Sequence, residues 1–298
     1  NQVVDALHRS SLILHQSVSF SEEPYFKVPG GMKSLLSSKL NADEKNDFEE
    51  QYANVCAQWF EDEGLSAFED YFSFQLAKIE ALPDCLRAME VSDILQKQDL
   101  LWRNALVACQ VYSLVGPRQK GIELVDEYLT DIPRESVFGG EGKLWKGILF
   151  SQIGDDQKAK LYLEEALAIF VQKSDFERQQ VTLCHLIFTA SGLKSEDDFT
   201  LYQERFQREP ADIATQGLYF QAMGHFYTQK GDARAIDVLR RSVSIHWSLG
   251  DNRRVVASLI ALGVMFFRQN RHALAEKNYR KAIEIAEHCL LQEGLESA

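Results

Sequence analysis

A short packing template recurs in this chain about every 39 residues, and a chain patterned that way folds by stacking copies of one small unit. One clear copy runs Leu259-Ile260-Ala261-Leu262-Gly263-Val264-Met265-Phe266, followed by Ala275, Tyr279 and Ala282. Another runs Gly147-Ile148-Leu149-Phe150, followed by Gly154, Ala159, Leu163 and Ala166. In both, a small residue is followed three positions later by an aromatic. An alanine comes twelve positions after the small residue, a bulky residue four beyond that, and a second alanine three further on. These spacings belong to paired helices. A small side chain on a first helix lets a second helix approach, the aromatic and bulky residues fill the groove, and the alanines sit where neighbouring units cross. A third copy, Gly224-His225-Phe226-Tyr227 with Gly231, Ala235, Leu239 and Ser242, has a turn one residue shorter.

Gly147 and Gly224 are 77 residues apart, and Gly224 and Gly263 are 39 apart. The longer gap predicts a further copy near residue 185. Glu177 to Ser191 reads there as an amphipathic helix, followed by a second from Ser195 to Arg208, with His185 in the small-residue position. One period before Gly147 lies Ala108, inside a helical stretch Asp99–Leu114 that is followed by Pro117–Leu129. A further step reaches Glu69 in the weaker stretch Ser66–Glu80. The expected array is five helical hairpins, with a sixth at Glu69. Turn signals fall between paired helices at Gly116-Pro117, Gly154-Asp155-Asp156, Gly231-Asp232 and Asn270. Only six prolines interrupt 298 residues, which favours long helices.

This pattern resembles the tetratricopeptide repeat over roughly residues 66–290, with a period longer than the usual 34 or so. A helical repeat of another kind is the alternative. The resemblance implies an all-α fold: a right-handed superhelix of TPR-like hairpins whose concave wall comes mainly from first helices. It further implies ligand-facing positions one residue after each small residue and four to either side. Here these are Leu144, Ile148 and Gln152; Gln221, His225 and Gln229; and Ile260, Val264 and Arg268. Such a wall mixes apolar and amide groups with one cation, which suits a peptide or protein segment better than nucleic acid.

Residues 1–40 do not fit the repeat and are expected to form a small α/β segment. Val3–Leu14 reads as a short helix running into a strand at Leu12-Ile13-Leu14, and Tyr25-Phe26-Lys27-Val28 reads as a second strand. Pro29-Gly30-Gly31 breaks it, Met32–Leu40 starts another helix, and Asn41–Phe60 continues helical with Tyr52, Val55, Trp59 and Phe60 on one side. Leu7, Ser10, Ser11, Leu12, Tyr25, Val28, Met32 and Leu36 resemble the end of a winged-helix module in STAND-class signalling NTPases. Pro29 stands where that family usually has His, and the basic residue of its next helix has no clear counterpart. The resemblance implies two parts: a winged-helix-like remnant at 1–40 and a repeat domain at 41–298. The repeats would then be the sensor region, binding a protein or effector for a nucleotide-binding half outside the chain. Two plainer readings stand beside it: residues 1–40 as a cap closing a solenoid, and the chain as a free-standing adaptor.

Catalytic and metal motifs do not occur in the sequence. Gly30-Gly31-Met32-Lys33-Ser34 superficially matches a phosphate loop, but Met32 and Lys27 stand where that loop needs glycines. No HExxH, CxxC or GxSxG occurs, and the run Glu61-Asp62-Glu63 reads as a solvated helix end. The chain is therefore expected to bind rather than catalyse, with no cofactor and no metal. Cys56, Cys85, Cys109, Cys184 and Cys289 are widely spaced and read as free thiols of a cytoplasmic protein. No apolar run is long enough for a membrane span, and no signal peptide opens the chain. It does not begin with Met, as expected of a fragment or trimmed product.

The net charge of −12 is unevenly spread. Residues 41–100 carry −11, whereas residues 230–281 carry +7, from eleven Lys/Arg against four Asp/Glu. An acidic chain disfavours non-specific nucleic-acid binding. The basic block reads first as a solvated surface; as a binding surface it is expected to meet an acidic protein or peptide, with Arg268 in the groove and Arg240 and Arg241 facing outward. Self-association of the acidic and basic ends is the competing expectation.

Overall fold

The computed structural model describes residues 14–16, 25–27, 41–59, 82–129, 132–133, 136–206 and 212–296. Twelve helices are seen among them. The first two are α1 (Ala42–Trp59) and α2 (Leu82–Ile94). Five hairpins follow. They pair α3 (Gln98–Val115) with α4 (Arg118–Leu124), α5 (Val137–Gln152) with α6 (Asp156–Gln172), and α7 (Phe176–Leu193) with α8 (Glu196–Arg205). The last two pair α9 (Ile213–Lys230) with α10 (Arg234–Ser248) and α11 (Asn252–Arg268) with α12 (His272–Glu296). A π-helical turn, Val125–Leu129, prolongs α4. Asp155, Asp175, Ser195, Asp212 and Asp251 each accept the amide hydrogen three residues on, capping the helix that follows.

The hairpin turns keep one register. Each has a residue at positive φ: Gly116, Gly154, Lys194, Gly231 and Asn270. Their spacings are 38, 40, 37 and 39 residues. Seven residues before the last four lie Gly147, Ile187, Gly224 and Gly263, the positions where a first helix meets its partner. A Cβ at Gly147 would sit 2.6 Å from Leu163, one at Gly263 2.5 Å from Tyr279, and one at Gly224 would overlap the Leu239 side chain. Ala159, Ala166, Ala235, Ala275 and Ala282 are buried as the template requires. The shorter third turn arises after Gly231, where the Asp232 carboxylate takes the amide of Arg234 at 2.9 Å.

Two positions are corrected. The close-contact residue of the α7/α8 hairpin is Ile187, not His185, because the turn residue Lys194 sets the count. In α3/α4 it is Cys109 rather than Ala108, and its thiol lies 3.6 Å from the Gly121 carbonyl. Ile187 is not small, which is why counting small residues missed its register.

One core cluster runs continuously from α5 to α12, and a second joins α2, α3 and α4. Trp145 packs against both. α1 opens on a reciprocal cap, the Asn41 amide and Glu44 carboxylate at 2.9 Å and the Glu44 amide and Asn41 side chain at 2.9 Å. It buries Ala53 and Ala57, whereas Val55, expected on the packed side, is exposed. Two three-residue strands, β1 (Leu14–Gln16) and β2 (Tyr25–Lys27), pair antiparallel. The expected helices over Val3–Leu14, Met32–Leu40 and Ser66–Glu80, the run Glu61-Asp62-Glu63 and Phe60 lie outside the described residues. So do most of the residues that carry the winged-helix resemblance. Among the described residues no helix is long and apolar enough to cross a membrane.

Candidate functional site: the wall of first helices

The first helices α3, α5, α7, α9 and α11 lie side by side and form one wall. Polar side chains stitch each joint. Between α3 and α5, the Gln152 amide donates to the Ser113 hydroxyl at 2.9 Å. Between α5 and α7, Arg178 donates to Glu141 at 2.6 Å. Between α7 and α9, Ser191 and the His225 Nδ1 are 3.1 Å apart. Between α9 and α11, Arg254 donates to the Gln221 side chain at 3.0 Å, and Arg268 donates to the Thr228 carbonyl at the end of α9.

The wall also bends back on itself. Arg253, in the first turn of α11, donates to the Leu114 carbonyl at the end of α3 at 2.9 Å. The first helices of the first and last hairpins are thus tied across the groove. A cation facing the carbonyl end of a helix is favourably placed.

The nine residues expected on the wall divide into three groups. Leu144 and Ile148 are buried in the core cluster that runs from α5 to α12, and Gln221 is buried against Arg254. Gln152, His225 and Arg268 are exposed but bridge neighbouring helices. Gln229 and Ile260 are exposed, and Val264 is half-buried. Arg268 is therefore held to a carbonyl rather than projecting alone into the groove. Arg253, Arg254 and Arg178 were missed as wall residues. A signal existed: Asp251 and Asp175 are helix caps, and each is followed within three positions by these arginines.

Arg254 dominates the local electrostatics. It pairs with Asp251 at 3.2 Å. Burial first, and then this guanidinium, hold His185 down to about 3 and His246 down to about 4. Both imidazoles are neutral at pH 7. His225 is lowered by burial of its inner side, against Phe188 at 5.9 Å, and Asp156 opposes that shift. Among the described residues no cluster of His, Cys, Asp or Glu has the makings of a metal site. Cys85, Cys109 and Cys184 are buried thiols outside any disulfide and Cys56 is half-buried; the Cys289 side chain lies outside the described residues.

Stacked hairpins whose first helices form a curved, polar-edged wall define a helical-repeat scaffold. The tetratricopeptide repeat family model matches residues 215–288, the last two hairpins. Among solved structures the chain is similar to the apo form of RapI, at 16% identity and a TM-score of 0.60, over 86% of this chain and 88% of that one. It is also similar to a Rap protein complexed with competence and sporulation factor, at 14% identity and a TM-score of 0.56, over 88% and 80%. A third is BtubC (BKLC) from P. vanneervenii, at 18% identity and a TM-score of 0.50, over 74% and 92%. At these identities the likeness concerns the fold alone. No curated protein sequence matches the chain. The chain is a TPR-like helical-repeat protein with a Rap-like fold.

Proposed function

We propose that the chain is a binding module that holds a segment of another protein, or a peptide, along its wall of first helices. The observation that carries this reading is the set of exposed polar side chains on the first helices, Gln152 on α5, His225 and Gln229 on α9, and Arg268 on α11. Side-chain amides, imidazole and guanidinium pair readily with a backbone or a carboxylate. One structural neighbour is a Rap protein complexed with competence and sporulation factor, and a binding role for the fold agrees with that. Arg253, Arg254 and Arg268 favour a segment that carries carboxylates. The module binds and does not catalyse, and it works in the cytoplasm.

A peptide-display selection against the whole chain, followed by fluorescence anisotropy, tests the reading. Selected peptides should be enriched in Asp and Glu, weaken with salt, and lose about tenfold or more in affinity against His225→Ala/Gln229→Ala. Equal affinity for that folded double variant would place the site elsewhere.

In its finer form the module is the sensor region of a STAND-class NTPase; the alternative is a free-standing adaptor. The resemblance of residues 1–40 supports the sensor form. A longer reading frame with an upstream phosphate-loop motif would bear it out. A frame without one leaves the adaptor.

A further inference from the structure

The register of the α7/α8 hairpin brings a further residue onto the wall. One place after the close-contact residues of α5, α7, α9 and α11 lie Ile148, Phe188, His225 and Val264. Ile148 is buried, Phe188 and Val264 are half-buried, and His225 is exposed. Phe188 packs against the core yet keeps part of its surface open. Two imidazoles flank it. The His185 ring lies 6.2 Å from the Phe188 ring on one side, and the His225 ring lies 5.9 Å from it on the other. Val181, also half-buried, stands two turns earlier on the same face of α7. Burial lowers the pKa of both imidazoles, so these three rings carry no charge at pH 7.

Charge gathers at the two ends of this strip. Toward α5 and α6 stand Glu141, which meets Arg178, and Asp156, whose carboxylate lies against Gly192. Toward α11 stand Arg253, Arg254 and Arg268, with Asp251 paired to Arg254. An apolar middle beside a cationic end does not suit a segment that is acidic throughout. A planar ring suits the middle, because it can meet the faces and edges of three aromatic side chains at once. A carboxylate suits the Arg254 guanidinium, which reaches back to Gln221 on α9, one helix from Phe188. Adjacent helices pack about 8–10 Å apart and an extended chain spans about 3.3 Å per residue, so the two groups sit roughly three residues apart. We propose that the wall selects an extended segment with an aromatic side chain laid on Phe188, between His185 and His225, and an acidic residue close by on Arg254. This rests on the reading of the wall as a peptide site and names what that site selects.

Selection of short random peptides displayed on phage, run in parallel against the whole parent chain and Phe188→Ala, tests this. Peptides from the parent should carry Phe, Tyr or Trp with Asp or Glu about three positions away. Those from the variant should keep the acid and lose the ring. In a synthetic copy of one parent-selected peptide, Ala in place of the aromatic should cost about tenfold in affinity against the parent chain and nothing against Phe188→Ala. Should that variant lose its helical circular dichroism, Phe188→Leu replaces it, and the tenfold should shrink to about threefold. Acidic peptides without an aromatic residue would overturn this inference and leave the wall as a peptide site. An aromatic whose loss costs the same against both chains would also overturn it, since the ring then lies elsewhere. Peptides insensitive both to Phe188→Ala and to His225→Ala/Gln229→Ala would overturn the wall reading, and this inference with it.

Discussion

Gly263 has no room for a side chain, because the Tyr279 ring lies where a Cβ would stand. Gly154 and Gly231 differ: nothing lies within 4 Å of either, and positive φ is what they supply. Gly263→Leu should therefore overpack the α11/α12 contact and cost roughly 1–3 kcal/mol, read as a lower urea midpoint. An unchanged midpoint would show that the hairpin register is wrong. His246 offers a pH test. Asp251 lies 3.8 Å from its Nδ1, but that carboxylate is already balanced by Arg254 and by the α11 amide it caps. Burial first, and then the Arg254 guanidinium, bring the folded histidine to about 4, whereas an unfolded one titrates near ~6.5. Between these values the unfolded chain holds a proton that the folded chain lacks. Stability is present above about pH 6.5 and is lost as pH falls toward 4, by up to about 3 kcal/mol. Asp251, whose pKa burial raises, works in the opposite sense, so parent and variant are compared. His246→Leu should flatten the slope of urea midpoint between about pH 7 and pH 4.5; an unaltered slope would assign it to other groups.

Among the elements, the α7/α8 hairpin shows how the repeat survives without its small residue. Ile187 occupies the contact, and the second helix is only ten residues long. Aromatic stacking fills the space: Phe199 lies 3.6 Å from Phe226, and Phe206, just past α8, lies 4.0 Å from Tyr219. The amphipathic pattern of Glu177–Ser191 was enough to locate this hairpin, but its register was not legible from residue size. Its turn carries Lys194 at φ 55°, where the equivalent turns have Gly154 and Gly231. A non-glycine residue there costs roughly 1–2 kcal/mol, offset in part by the greater freedom of glycine in the unfolded chain. Lys194→Gly should raise the stability by about 0.5–1 kcal/mol, seen as a higher melting temperature. A lower melting temperature would mean that the lysine side chain contributes more than its backbone strain costs.

For the whole molecule, Arg253 and the Leu114 carbonyl tie the first and last first helices of the curled wall. Arg253→Ala removes a hydrogen bond from a charged donor, worth roughly 1.5–3 kcal/mol, and should leave the hairpins folded. Small-angle scattering should report a larger radius of gyration with unchanged helical circular dichroism; an unchanged radius would show that stacking alone fixes the curvature. The sequence by itself determined the hairpins, their turns and most of their contact residues. Those depend on pairs within about 20 residues, and the same local solution repeats along the chain. Only the tertiary structure decided which wall positions stay open. Leu144, Gln221 and Ile260 share one place in the template, yet the first two lie under a neighbouring first helix and the third does not. The meeting of Arg253 with Leu114 across 139 residues is likewise absent from any local pattern. It is the sum of small rotations between successive hairpins, each set by packing, and no single residue encodes it.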